Sequence, residues 1–93
     1  MSTTVDGTTS PTADTDIEKL RAEIDRLDAE ILRLVQRRTE VAQEIGRARM
    51  AAGGPRIVYN REMDVLARYR ELGRAGRDLA LILLRLGRGE LGR

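Results

Sequence analysis

From Ile17 onward the apolar residues recur in steps of three and four: Ile17, Leu20, Ile24, Leu27, Ile31, Leu34, then Val41, Ile45 and Ala48. This is a heptad seam sustained over more than four heptads. It keeps its rhythm through position 38, where the seam residue is an arginine. Ahead of the row, Thr15 and Glu18 have the T-x-x-E spacing of a capping box. Behind it, the run AAGGP at 51–55 is a firm stop. Gly46 weakens the helix without ending it. The pattern predicts a first helix from about 16 to about 51, roughly 50 Å long at 1.5 Å per residue. A compact chain of 93 residues has a radius of gyration of only ~12 Å. Such a helix outreaches its own domain, and a second copy of the chain is the economical cover for its seam.

The rest of the chain is shorter in period. RIVY, 56–59, reads as a short extended stretch after Pro55. Asn60 is a candidate cap for a second helix, REMDVLARYRELG, closing at Gly73. RDLALILLRLG predicts a third apolar helix over about 75–86. Residues 1–14 are Thr, Ser, Gly, Pro and Asp with little that is apolar, and are expected to be disordered. The tail GRGELGR, 87–93, carries three glycines and is expected to be flexible without a partner. The fold class is therefore all-α: one long and two short helices in a domain over 15–86, between two tails.

Composition narrows the chemistry. The chain has no cysteine and no histidine. Disulfides are excluded, as are thiolate or imidazole metal sites and nucleophile systems that need a histidine base. A chain this short buries a modest core, and oligomerisation is the support that remains. The first residues lack an apolar core and a basic leader, and no run approaches ~18 apolar residues, so a cytoplasmic protein without a membrane span is expected. Net charge is +2, yet 16 of the 17 cations are arginine, which binds planar anions through paired donors better than lysine does. That points to carboxylate or phosphate partners; arginine-favouring codon usage accounts for many of the sixteen. The isoelectric point near 9.7 raises nucleic-acid binding. Against it, residues 1–67 hold 12 acids and 10 bases, and Tyr59 and Tyr69 make no stacking platform.

Arg38 in the seam has two readings. A lone polar residue at such a position often sets register or oligomer state, which makes the chain a non-catalytic coiled-coil module. Alternatively, a buried guanidinium needs an anion, either a protein carboxylate such as Glu44 or Glu62 or a ligand. Arg49 lies three turns on, ~16 Å along the axis and on nearly the same side, so the pair can grip two ends of one small anion. Arg21 lies ~25 Å before Arg38 and reaches the same ligand only from an antiparallel second copy. That geometry predicts two equivalent sites per dimer, each built from both chains. Arg61 and Glu62 fall in the first turn of the second helix, where free N–H groups favour anions.

The stretch LRAEIDRLDAEILRLVQRRTEVAQEIGRAR, with PRIVYNRE after it, resembles the all-α chorismate mutases. The motif is L-R-x-x-I-D-x-L-D, then R-R, G-x-A-R and R-E, and the likeness runs from 17 to about 86. The resemblance implies an intertwined homodimeric helical bundle that rearranges chorismate to prephenate, in phenylalanine and tyrosine biosynthesis, with no cofactor and no metal. The short chain, the GG before the proline and the ending LLRLGRGELGR are similar to a subclass that is weak alone and is activated in complex with DAHP synthase. By position, Arg38 and the other chain's Arg21 bind the substrate carboxylates, Arg49 faces the ether oxygen, and Arg61 and Glu62 are the R-E pair, with Glu62 toward the hydroxyl. The sequence departs from the pattern at Val58, where many relatives carry an aspartate, and in a third helix without glutamine. Both departures, with the short C-terminus, imply weak activity in isolation and a partner docked around Arg88, Gly89, Leu91 and Gly92. An isochorismate pyruvate lyase is the related alternative; Glu62 favours the mutase.

Overall fold

The structure is a computed structural model that describes residues 10–55 and 57–89. Its regular elements are α1 (Ser10–Ala51), α2 (Tyr59–Tyr69) with a 3₁₀ turn after it (Arg70–Leu72), and α3 (Arg74–Arg88). All of them are helical, as the periodicity predicts. Three boundaries move. α1 begins at Ser10, so Thr15 and Glu18 lie within the helix and not at its start. Pro11 does not oppose this, because a proline in the first turn lacks only an N–H that has no partner there. The expected disorder of residues 1–9 lies outside the described residues.

The second boundary is the start of α2. Val58, extended at φ −116° and ψ 104°, is its N-cap, not Asn60. The Glu62 N–H donates to Val58 O at 3.1 Å, which draws Tyr59 and Asn60 into the first turn. The third is the end of α3, which continues through Gly87 and Arg88 before Gly89 ends it at φ 78°. A glycine accepts this backbone at no steric cost. Leu91 and Gly92 lie outside the described residues.

Residues up to Arg33 and residues from Leu34 form two units. In the first, the seam residues Ile17, Leu20, Ile24, Leu27 and Ile31 are all exposed, Leu20 at 61%. Burying one such side chain is worth about 1.5–3 kcal/mol. A row of five left in water is therefore a large unsatisfied driving force.

In the second unit α2 and α3 pack around Val65, Ala80 and Leu83, the buried apolar residues. The 3₁₀ turn and Gly73, at φ 73°, reverse the chain between them. Gly76 makes the reversal possible. A Cβ there would run into the Tyr69 carbonyl oxygen and stand 2.9 Å from Leu72 Cβ. Leu34–Ala51 of α1 packs on the last turns of α3. A Cβ on Gly87 would lie 2.9 Å from Ala42 Cβ, well inside ordinary contact. Two α1 side chains tie this crossing. Arg38 Nη1 donates to Leu83 O at 3.3 Å, and Gln43 Nε2 donates to Leu86 O at 3.4 Å. Leu86 O also accepts from the Gly89 N–H at 3.0 Å, and the second lone pair of a carbonyl oxygen leaves room for such a side-chain donor.

Candidate active site

Helical spacing brings three faces of the second unit to one cleft of about 530 Å³. α1 contributes Arg38, Ile45 and Arg49, at steps of seven and four residues. α2 contributes Glu62 and Val65, and Val58 four residues before Glu62 continues that face. α3 contributes Leu84, Gly87 and Arg88. These steps return to one side of a 3.6-residue helix. The volume is that of a small-molecule site, and a few polar groups among apolar walls is the usual make-up of one.

Charge gives the cleft its character. Arg38, Arg47, Arg49, Arg61 and Arg88 line it, against a single lining carboxylate, Glu62. Five arginines against one glutamate give the lining residues a formal +4. The walls between them are aliphatic: Val41, Ile45, Val58, Val65 and Leu84. Such a cleft suits a small, multiply charged anion with an apolar body. Gly46 opens onto it, and a Cβ there would meet nothing within 4 Å. The glycine that weakens α1 thus leaves room in the cleft.

Of the residues the sequence singles out, Arg38, Arg49, Val58, Arg61 and Glu62 all line this one space. Arg21 does not; it is an exposed residue of the first unit. Val58 offers only an aliphatic wall, having no group that meets a hydroxyl. Arg38 lines the cleft while its Nη1 donates to Leu83 O.

Arg88, expected in a partner-docking tail, also lines the cleft and pairs with Glu62: Nη2 donates to Oε1 at 2.6 Å and to Oε2 at 2.8 Å, and Nε to Oε2 at 3.3 Å. The expectation of a flexible, glycine-rich tail gave no place to this pairing. A signal was present all the same. Gly76, Ala80, Leu83, Leu84 and Gly87 follow a helical period, and Arg88 comes four residues after the cleft-lining Leu84. Gln43 and Gly87 were also missed; both act by fixing where α3 ends on α1. Gly89 sits just outside, where a Cβ would stand 3.2 Å from Gln43 Nε2.

The family model described as chorismate mutase type II matches residues 20–84. The chain is 66% identical over 77 residues to an intracellular chorismate mutase of Mycobacterium tuberculosis, covering 83% of this chain and 73% of that protein. It is 60% identical over 78 residues to the intracellular chorismate mutase of Mycolicibacterium smegmatis, covering 83% and 75%. In structure it is similar to a chain of a non-covalent complex of DAHP synthase and chorismate mutase from Corynebacterium glutamicum with a bound transition state analogue. The TM-score is 0.81 at 52% identity, over 88% of this chain and all of that one. No helix among the described residues is long and apolar enough to cross a membrane.

Proposed function

The chain belongs to the chorismate mutase type II family, and from that premise we propose that it rearranges chorismate to prephenate in the arginine-lined cleft. The reaction is unimolecular. The ether C–O bond breaks as a new C–C bond forms within the same molecule, and no proton is transferred. The protein's task is to hold the compact reactive conformer and to stabilise the negative charge that grows on the ether oxygen. Guanidiniums suit both tasks, because they stay charged at any working pH and present paired donors.

Arg38 binds one substrate carboxylate, and Arg21 of a second copy binds the other. Arg49 faces the ether oxygen, Arg61 adds positive charge at the start of α2, and Glu62 accepts from the substrate hydroxyl. The observation that carries this reading is the convergence of Arg38, Arg49, Arg61 and Glu62 on one cleft from positions spread over α1 and α2. The exposed Ile17–Ile31 row supports a homodimer, intertwined so that each copy covers the other's seam. With Val58 in place of a hydroxyl-holding acid and no glutamine in α3, the chain is a weak catalyst alone. A DAHP synthase, the partner in the C. glutamicum complex, raises its activity in the cytoplasm.

The test follows chorismate by ultraviolet absorbance, with and without a cognate DAHP synthase, and identifies the product by NMR. Prephenate formed slowly alone and faster with the partner is the expected result. Pyruvate release would mean a lyase, and no turnover in either mixture would leave a coiled-coil module.

A further inference from the structure

Resting on that reading of the cleft, we propose that Arg88 is a positioning residue: it sets the plane and direction of the Glu62 carboxylate that meets the substrate. The pair joins the first turn of α2 to the last residue of α3. Three contacts hold the carboxylate, two from Nη2 and one from Nε, and both of its oxygens are engaged. A guanidinium fork of this kind fixes a carboxylate's orientation, where an ammonium supplies only a point charge. The side chains are 31% and 18% exposed, so water competes far less than at the surface pair of Arg37 and Glu40. Unheld, a glutamate at a helix start spreads over several rotamers.

What fixes the end of α3, which carries Arg88, lies on α1. Gln43 donates to Leu86 O, Arg38 donates to Leu83 O, and the bare Gly87 lets α3 settle against Ala42. Gly89 ends the helix one residue after Arg88. The aim of Glu62 is therefore set by where α3 ends on α1, and not by α2 alone. In a reaction with no proton transfer, Glu62 acts through a hydrogen bond to the substrate whose worth depends on placement, and misplacement by ~1 Å costs on the order of 100-fold.

The experiment is a double-mutant cycle on the full chain with Arg88→Met and Glu62→Gln, read as kcat and KM for chorismate. Arg88→Met lowers kcat by about 10- to 100-fold with KM within about threefold. In the Glu62→Gln background the same change costs less than about twofold, because the group it positions is already altered. Arg88→Lys recovers part of the loss, having the charge without the fork. Equal costs in both backgrounds overturn the proposal. So does a KM raised about tenfold at unchanged kcat, which marks direct substrate binding, or a kcat that rises, which marks a restraint on Glu62. If Arg88→Met does not melt cooperatively, the cycle is run with Arg88→Lys, and the same additivity decides. Wild-type protein without turnover overturns the reading of the cleft and this role with it; turnover with additive costs overturns this role alone. An independent readout is the NMR signal of the Arg88 Nε–H. It is protected from exchange in the wild type and loses protection in Glu62→Gln; protection that is the same in both contradicts the pairing.

Discussion

Replacing Gly87 with alanine adds one methyl group, and its effect follows from the crossing of α1 and α3. The new Cβ would lie 2.9 Å from Ala42 Cβ. Carbon atoms settle at about 3.5–4.0 Å, so the end of α3 must retreat by about 0.6–1.1 Å. The bonds Arg38 Nη1 to Leu83 O, at 3.3 Å, and Gln43 Nε2 to Leu86 O, at 3.4 Å, have no slack to follow. Overpacking costs about 1–3 kcal/mol, and the loss of these bonds adds about 1–2 kcal/mol. Replacing glycine in a helix returns about 0.5–1 kcal/mol. The net is a destabilisation of about 1–4.5 kcal/mol, centred near ~3 kcal/mol, which is a fall of roughly 12–24 °C in Tm for a domain of this size. Gly46→Ala is the matched control, because its Cβ meets nothing within 4 Å. It gains about 1 kcal/mol from helix propensity alone. Thermal melts by circular dichroism compare the two. If Gly87→Ala melts at or above the wild type, α3 does not approach α1 as described, and the placement of Arg38 and Arg88 that rests on it is wrong.

Other outcomes follow from the same geometry. Gly76→Ala drives a methyl group into the Tyr69 carbonyl oxygen, a backbone atom that cannot step aside, and costs about 3 kcal/mol or more, seen as a Tm lowered by at least ~12 °C. Gly46→Leu keeps the fold but fills the cleft, so KM for chorismate rises more than about tenfold while the melt stays close to wild type. Ile24→Asp places a carboxylate in the middle of the exposed row, and sedimentation then shows a monomer where the wild type sediments as a dimer.

The long-period features were legible in the residues. A heptad row from Ile17 to Ala48 needs nothing outside itself to specify α1, and its end at Ala51 agrees with the glycine-rich stop. Arg38 and Arg49 were legible from their spacing along α1, and Arg61 and Glu62 from their place at the start of α2; all four line the cleft. What failed depends on non-local contacts or on competition between local signals. Asn60 is the better capping residue, yet the Glu62 N–H to Val58 O bond starts α2 earlier. Residues 10–14 are polar enough to read as disordered, yet they open α1, with Pro11 in its first turn. Gly87 and Gly89 both fall in the tail expected to be flexible, but only Gly89, at φ 78°, ends a helix, while Gly87 serves the close crossing with Ala42. The helix therefore extends to Arg88, which lines the cleft.

Arg38 now has a physical account at a seam position. It meets an α3 carbonyl from one side and faces the cleft with the other lining arginines, so it belongs both to the fold and to the site. The central claim is that two copies of the chain build one dianion site, Arg38 from one and Arg21 from the other. The most direct measurement co-expresses Arg21→Ala with Arg38→Ala and assays chorismate turnover. Each variant alone is expected to be inactive. Heterodimers carry one intact site and one doubly altered site, so a statistical mixture recovers about a quarter of wild-type activity. No recovery from mixed dimers, or full activity in Arg21→Ala alone, would contradict a site shared between chains.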